Sequence, residues 1–200
     1  MEFKEHLKTY LSDREIEELM ASLNKENKHA VLLNPKKMSD EMFLEYFPNV
    51  KPHPVVKHAY LYDKKEYELG KHVFHELGCY YLQEPSAMVV ASLLDAKPGE
   101  FVLDLCAAPG GKTVQSSFLM ENKGLIVSND LSHQRATIIK ENAERLGLGN
   151  LLIISNDFEQ IYHQYRNQFD RIILDAPCSG SGMFRKMEEM KSDWTYEKVL

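Results

Sequence analysis

From Glu84 onward, short apolar runs alternate with stretches of helical periodicity, and this alternation constrains the fold more than any other feature. Phe101 to Leu105, Leu125 to Ser128, Leu151 to Ile154 and Arg171 to Leu174 read as buried strands. Pro85 suits the first turn of a helix reaching about Asp95, and Lys97-Pro98-Gly99 is a turn. Thr113 to Met120 is helical. Ser132 caps a helix whose Ala136, Ile139, Ala143 and Leu146 share one face, and Gly147 ends it. A shorter helix follows Asp157. Strands separated by helices form a parallel sheet with helices on both faces, an α/β Rossmann-like core. Such sheets bind ligands beyond the carboxyl ends of their strands.

The first part of the chain reads differently. Phe3, Leu7 and Leu11, then Ile16, Leu19, Met20 and Leu23, recur at helical spacing. Ala30 to Leu33 is a short apolar run stopped by Asn34-Pro35, and Ser39 caps a helix carrying Met42, Phe43 and Phe47. Residues 48–72, with Pro48, Pro52 and Pro54, are irregular or short-stranded. A boundary near residues 72–82 divides a small, mainly helical α+β domain (1–75) from the α/β domain (76–200).

Each predicted strand of the α/β part runs into an acid at or just past its carboxyl end: Asp104, Asp130, Asp157 and Asp175. One such acid is ordinary, since Asp favours turns and helix caps, and Asp157 can simply cap its helix. Four on the ligand side of one sheet point to a site. The first loop contains Cys106-Ala107-Ala108-Pro109-Gly110-Gly111-Lys112. Its small residues and two glycines allow a sharp turn and close approach to a ligand. A dinucleotide fingerprint would need G-x-G-x-x-G, which is missing. A P-loop would need G-x-x-x-x-G-K-[ST]. Gly111, Lys112 and Thr113 fit its end, but Cys106 stands where its first glycine belongs. Arg171 to Asp175 even imitates the strand and aspartate that hold magnesium in nucleotide hydrolases, so that reading competes. Electrostatics separate the two. Asp104 would repel a polyphosphate, whereas S-adenosylmethionine carries a sulfonium and an ammonium group. Asp130 is placed to accept hydrogen bonds from ribose hydroxyls, and Asp157 to meet the adenine amino group.

The chain has 200 residues, is 44% hydrophobic and 27% charged, and carries a net charge of −6. That charge gives no support to a nucleic-acid partner, which normally meets a basic face. Lys51, Lys57, Lys64, Lys65 and Lys71 could form one, although a solvated loop explains them equally well. No apolar run approaches membrane-spanning length. Cys79, Cys106 and Cys178 are widely spaced and show no metal-ligand pairing, so no metal and a reducing, cytoplasmic setting are expected.

The loop Asp175-Ala-Pro-Cys-Ser-Gly-Ser-Gly-Met-Phe-Arg-Lys186 selects the chemistry. Carbon 5 of cytosine is a poor nucleophile until a thiolate adds to carbon 6, and Cys178 beside Asp175 suggests such a thiol. Alone, Cys178 would more simply be an inert thiol. Together, Tyr80-Tyr-Leu-Gln-Glu-Pro-Ser-Ala-Met88, Asp104 to Thr113 and Asp175 to Lys186 resemble the RsmF branch of the Nop2/Sun RNA cytosine-5 methyltransferases. The resemblance is strong from about Tyr80 to Lys186 and weak before that.

The resemblance implies S-adenosylmethionine as cofactor, held by Cys106 to Lys112, Asp130, Asp157 and Asp175, with Asp175 also facing the target base. It implies RNA, ribosomal RNA by family, as substrate, and an RNA-associated N-terminal domain. It also reassigns Cys178: in this family the cysteine after Asp-Ala-Pro assists product release, and the attacking thiol lies in a later Thr-Cys motif. No such motif occurs in residues 1–200, so the chain is expected to be a fragment that binds cofactor but lacks the nucleophile. Ala30-Val-Leu-Leu33 also lacks the arginine usual for the family there. A non-catalytic RNA-binding relic is the remaining alternative.

Overall fold

The computed structural model describes residues 3–24 and 27–178. Lys28–Asp175 forms one compact unit, and the other described residues belong to a second. In that second unit, α1 (Phe3–Leu7) is followed by α2 (Asp13–Leu23). Ser12 and Glu15 close a reciprocal capping box at the start of α2, satisfying amides that a helix otherwise leaves unpaired.

The larger unit contains two sheets. Its first is antiparallel, built from β1 (His29–Leu33), β2 (Lys51–Pro52), β3 (Ala59–Tyr62) and β4 (Tyr80–Gln83) in the order β2-β3-β1-β4. Helix α3 (Asp40–Tyr46) follows β1, capped by Ser39 as its sequence suggests. A 3-10 turn (Leu69–Lys71) and the short α4 (Val73–Glu76) lead into β4. Val31, Leu33, Phe43, Phe47, Tyr60 and Tyr80 pack on one face of this sheet. Ala30, Leu32, Ala59 and Met88 pack on the other, with Phe118 against them. A strand buried on both faces reads as an unbroken apolar run, which is why Ala30 to Leu33 shows no alternation.

The second sheet is parallel. It comprises β5 (Phe101–Asp104), β6 (Leu125–Asn129), β7 (Leu151–Ile154) and β8 (Arg171–Ile173), ordered β7-β6-β5-β8. Helices α5 (Pro85–Leu94), α6 (Gly111–Leu119), α7 (His133–Leu146) and α8 (Phe158–Tyr165) connect or flank them. Val102 and Ile126 meet Ala96 and Met120 on one face, while Leu103 and Val127 meet Ile161 on the other. The Rossmann-like α/β expectation holds. From β5 the chain winds outward to β7, then returns to place β8 on the opposite side of β5. The strand order therefore reverses between β5 and β8, where ligand crevices form in open α/β sheets.

Candidate active site

The β5–α6 loop begins at that switch point. Its amides are largely used within the protein. Ala107 N–H donates to the Asn129 carbonyl (2.8 Å), Gly110 N–H to the Ala107 carbonyl (2.7 Å), and Ala108 N–H to Asp130 Oδ2 (3.3 Å). Its carbonyls are engaged as well: Asn129 Nδ2 reaches Leu105 O (3.1 Å), Arg135 reaches Ala108 O (3.0 Å) and Asn142 reaches Pro109 O (3.2 Å). The Ala108–Pro109 peptide is cis, and Gly110 has φ +104°, a conformation costly for residues with a Cβ. A P-loop cradles phosphate with free loop amides. Here those of Ala107, Ala108 and Gly110 are occupied, which argues against the competing nucleotide reading.

Acids surround the loop. Asp104, at the end of β5, is fully buried; Thr113 donates to its Oδ2 (2.8 Å), and Ser128 lies 3.0 Å from the Thr113 hydroxyl. Its Oδ1 has no hydrogen-bond partner among the described residues. Burial pushes the Asp104 carboxyl up to about 6, with Thr113 and Lys112 opposing and Asp175 and Asp130 adding to the rise. Asp130 is buried too. Ser132 N–H donates to its Oδ1 (3.0 Å), and Arg135 lies 3.4 Å from its Oδ2. Asp175, past the end of β8, is exposed and pairs with the Lys112 ammonium at 2.5 Å. That pair bridges the switch point, joining the first turn of α6 to the strand on the other side. Burial and the neighbouring acids Asp130 and Asp104 raise the Cys106 thiol, which keeps it neutral and unsuited to attack.

The structure thus brings Cys106 to Lys112, Asp104, Asp130 and Asp175 together. Asp157 stands apart in role: it is the N-cap of α8, accepting from Gln160 N–H (2.8 Å) within a capping box. Cys178 is an exposed free thiol. Ser179 to Lys186 lie outside the described residues. Sequence reasoning missed Arg135, Asn129 and Asn142. Arg135 had one weak signal, its place in the first turn after the Ser132 cap; the two asparagines had none. Among the described residues no metal-binding cluster occurs, and no helix is long and apolar enough to cross a membrane.

Residues 91–199 match the family described as 16S rRNA methyltransferase RsmB/F, and residues 1–85 match the N-terminal domain of 16S rRNA methyltransferase RsmF. The chain belongs to the RsmB/F family. Within that family it is similar to ribosomal RNA small subunit methyltransferase F of Vibrio atlanticus (strain LGP32), with 33% identity over 100% of this chain and 44% of the relative. The tRNA (cytosine(49)-C(5))-methyltransferase of Pyrococcus abyssi (strain GE5 / Orsay) is 36% identical over 92% of this chain and 60% of its own length. A solved methyltransferase homolog from Pyrococcus horikoshii superposes with a TM-score of 0.77 at 28% identity, covering 94% of this chain and 66% of that one. This RsmB/F chain therefore spans about half the length of the curated relatives it matches.

Proposed function

We propose that the chain carries the cofactor half of an RNA cytosine-5 methyltransferase. One observation carries the reading: buried Asp104 and Asp130 and exposed Asp175 converge on a loop whose amides are mostly spent internally. Such a site suits a cationic ligand and repels a polyphosphate. S-adenosylmethionine fits this donor set, and when bound it supplies an electrophilic methyl group. Cys106 to Lys112 would hold its methionine end, with the unpaired Asp104 Oδ1 nearby as an acceptor. Asp130 would hold the ribose, and Asp157, with one carboxylate oxygen committed to its helix, the adenine amino group.

The chemistry on the base falls to thiol and carboxylate. A cytosine extruded from its stack would accept a cysteine thiolate at carbon 6, and the resulting enamine would take the methyl group at carbon 5, with S-adenosylhomocysteine leaving. Loss of the carbon 5 proton and elimination of the thiolate restore the ring. Asp175 is assigned to the pyrimidine, steadied by Lys112, and Cys178 to the release step. The attacking thiol is assigned to the family's Thr-Cys motif, which residues 1–200 do not contain. Ribosomal RNA is the proposed substrate, since the matched family is named for it, and the cytoplasm the proposed setting.

Two measurements test this. Titrated with S-adenosylhomocysteine, Asp130→Asn should lose about 10–100-fold in affinity, the worth of one charge-assisted hydrogen-bond pair. Incubated with labelled S-adenosylmethionine and ribosomal RNA, residues 1–200 should bind cofactor without transferring methyl. Unchanged affinity in the first, or 5-methylcytosine in the second, would refute the corresponding assignment.

A further inference from the structure

The Tyr80–Met88 motif has no role in the chemistry above, yet one of its residues touches the cofactor loop. Gln83 ends β4, opposite Ala30 of β1. Gly111 is the first residue of α6, directly before Lys112. Unlike Gly110, Gly111 does not have a positive φ. Its backbone would accept any residue, so what a side chain here would meet is a matter of space alone. A Cβ built there would lie 2.9 Å from Gln83 Cδ, 2.9 Å from Nε2 and 3.2 Å from Oε1. All three nearest atoms belong to one carboxamide. The room left by the second glycine is therefore filled by the protein itself rather than kept for a ligand. Among the described residues no hydrogen bond fixes the buried Gln83 Oε1, so this oxygen meets α6 by contact rather than by a polar link.

We propose that Gln83 is a positioning residue for the cofactor site: its carboxamide packs onto Gly111 and sets the first turn of α6, from which Lys112 reaches Asp175. The antiparallel sheet would then tune the loop through one side-chain contact. Gln83 acts through Gly111 and touches no reacting atom.

The inference rests on the cofactor reading above, and a mutant cycle keeps the two apart. S-adenosylhomocysteine affinity is measured by calorimetry on residues 1–200 as wild type, Gly111→Ala, Gln83→Ala and the double variant, with a thermal melt of each. Gly111→Ala should weaken binding by about tenfold or more, because the new methyl displaces the carboxamide or the helix start. In the Gln83→Ala background the same methyl meets none of those atoms, so adding it should cost no further affinity. Gln83→Met, which keeps the length without the amide, should bind as the wild type does. If Gly111→Ala costs the same with and without Gln83, the glycine serves the ligand and the proposal fails. If Gln83→Met alone loses affinity at an unchanged melting temperature, the amide contacts ligand directly and the positioning role is overturned. If the wild type does not bind at all, the cofactor reading itself fails.

Discussion

On the proposed reading, Asp130 serves both structure and ligand. It accepts amides from Ala108 and Ser132 and sits beside Arg135, so truncation to Ala strands two N–H groups as well as removing the proposed ligand contact. Asp130→Ala should therefore lower stability by about 1–3 kcal/mol besides weakening cofactor binding. Asp130→Asn keeps only one of the two acceptor oxygens, so its affinity is read beside its melting temperature to separate binding from stability. Asp157 calls for the opposite device, because a serine caps a helix almost as well as an aspartate. Asp157→Ser should leave the melting temperature within a degree or two of wild type, by the equality of the two caps, while reducing affinity for S-adenosylhomocysteine. Unchanged affinity at an unchanged melting temperature would make Asp157 a cap alone. Asp104 gives a proton signature. Its carboxyl is raised from 3.8 to about 6, so the folded state holds a proton that the unfolded chain has released between those values. Its buried charge costs about 3 kcal/mol at neutral pH, a cost fully present above 6 and gone below about 4. A cation brought beside it favours the charged form. Binding of S-adenosylmethionine near pH 6 should release about half a proton, and almost none at pH 8. Calorimetry in buffers of differing ionisation enthalpy measures this, and equal release at both values would remove Asp104 from the site.

At the scale of elements, legibility in the sequence followed burial and local chemistry. The parallel strands stood out as apolar runs between helices with clear caps at Ser132, Asp157 and Gly147; β5 and β6 are buried along most of their length, while Leu152 of β7 and Ile172 of β8 are exposed. β4 did not stand out. Its partner is β1, pairing Ala30 with Gln83 across more than fifty residues of chain, and no local signal records such a contact. β2 was obscured by Pro52, tolerated because the strand lies at the sheet edge. The loop's acids and glycines were visible as types, while its satisfaction by Asn129, Arg135 and Asn142 was not. The two glycines also proved unequal. Gly110 is needed for its left-handed backbone, so Gly110→Ala should cost about 1–2 kcal/mol by denaturant unfolding. A change below a few tenths would show that the turn relaxes.

Across the larger unit, two sheets share helices α5 and α6, and the switch point of the parallel sheet carries the acid cluster. On the proposed reading, that placement turns a near-miss P-loop sequence into a site for a cation. The deciding measurement is calorimetric titration of residues 1–200 with S-adenosylhomocysteine and, separately, with ATP and magnesium. Saturable binding of S-adenosylhomocysteine at one site per chain, with no heat from the nucleotide, is the predicted result. Tight ATP–magnesium binding without any response to S-adenosylhomocysteine would contradict it.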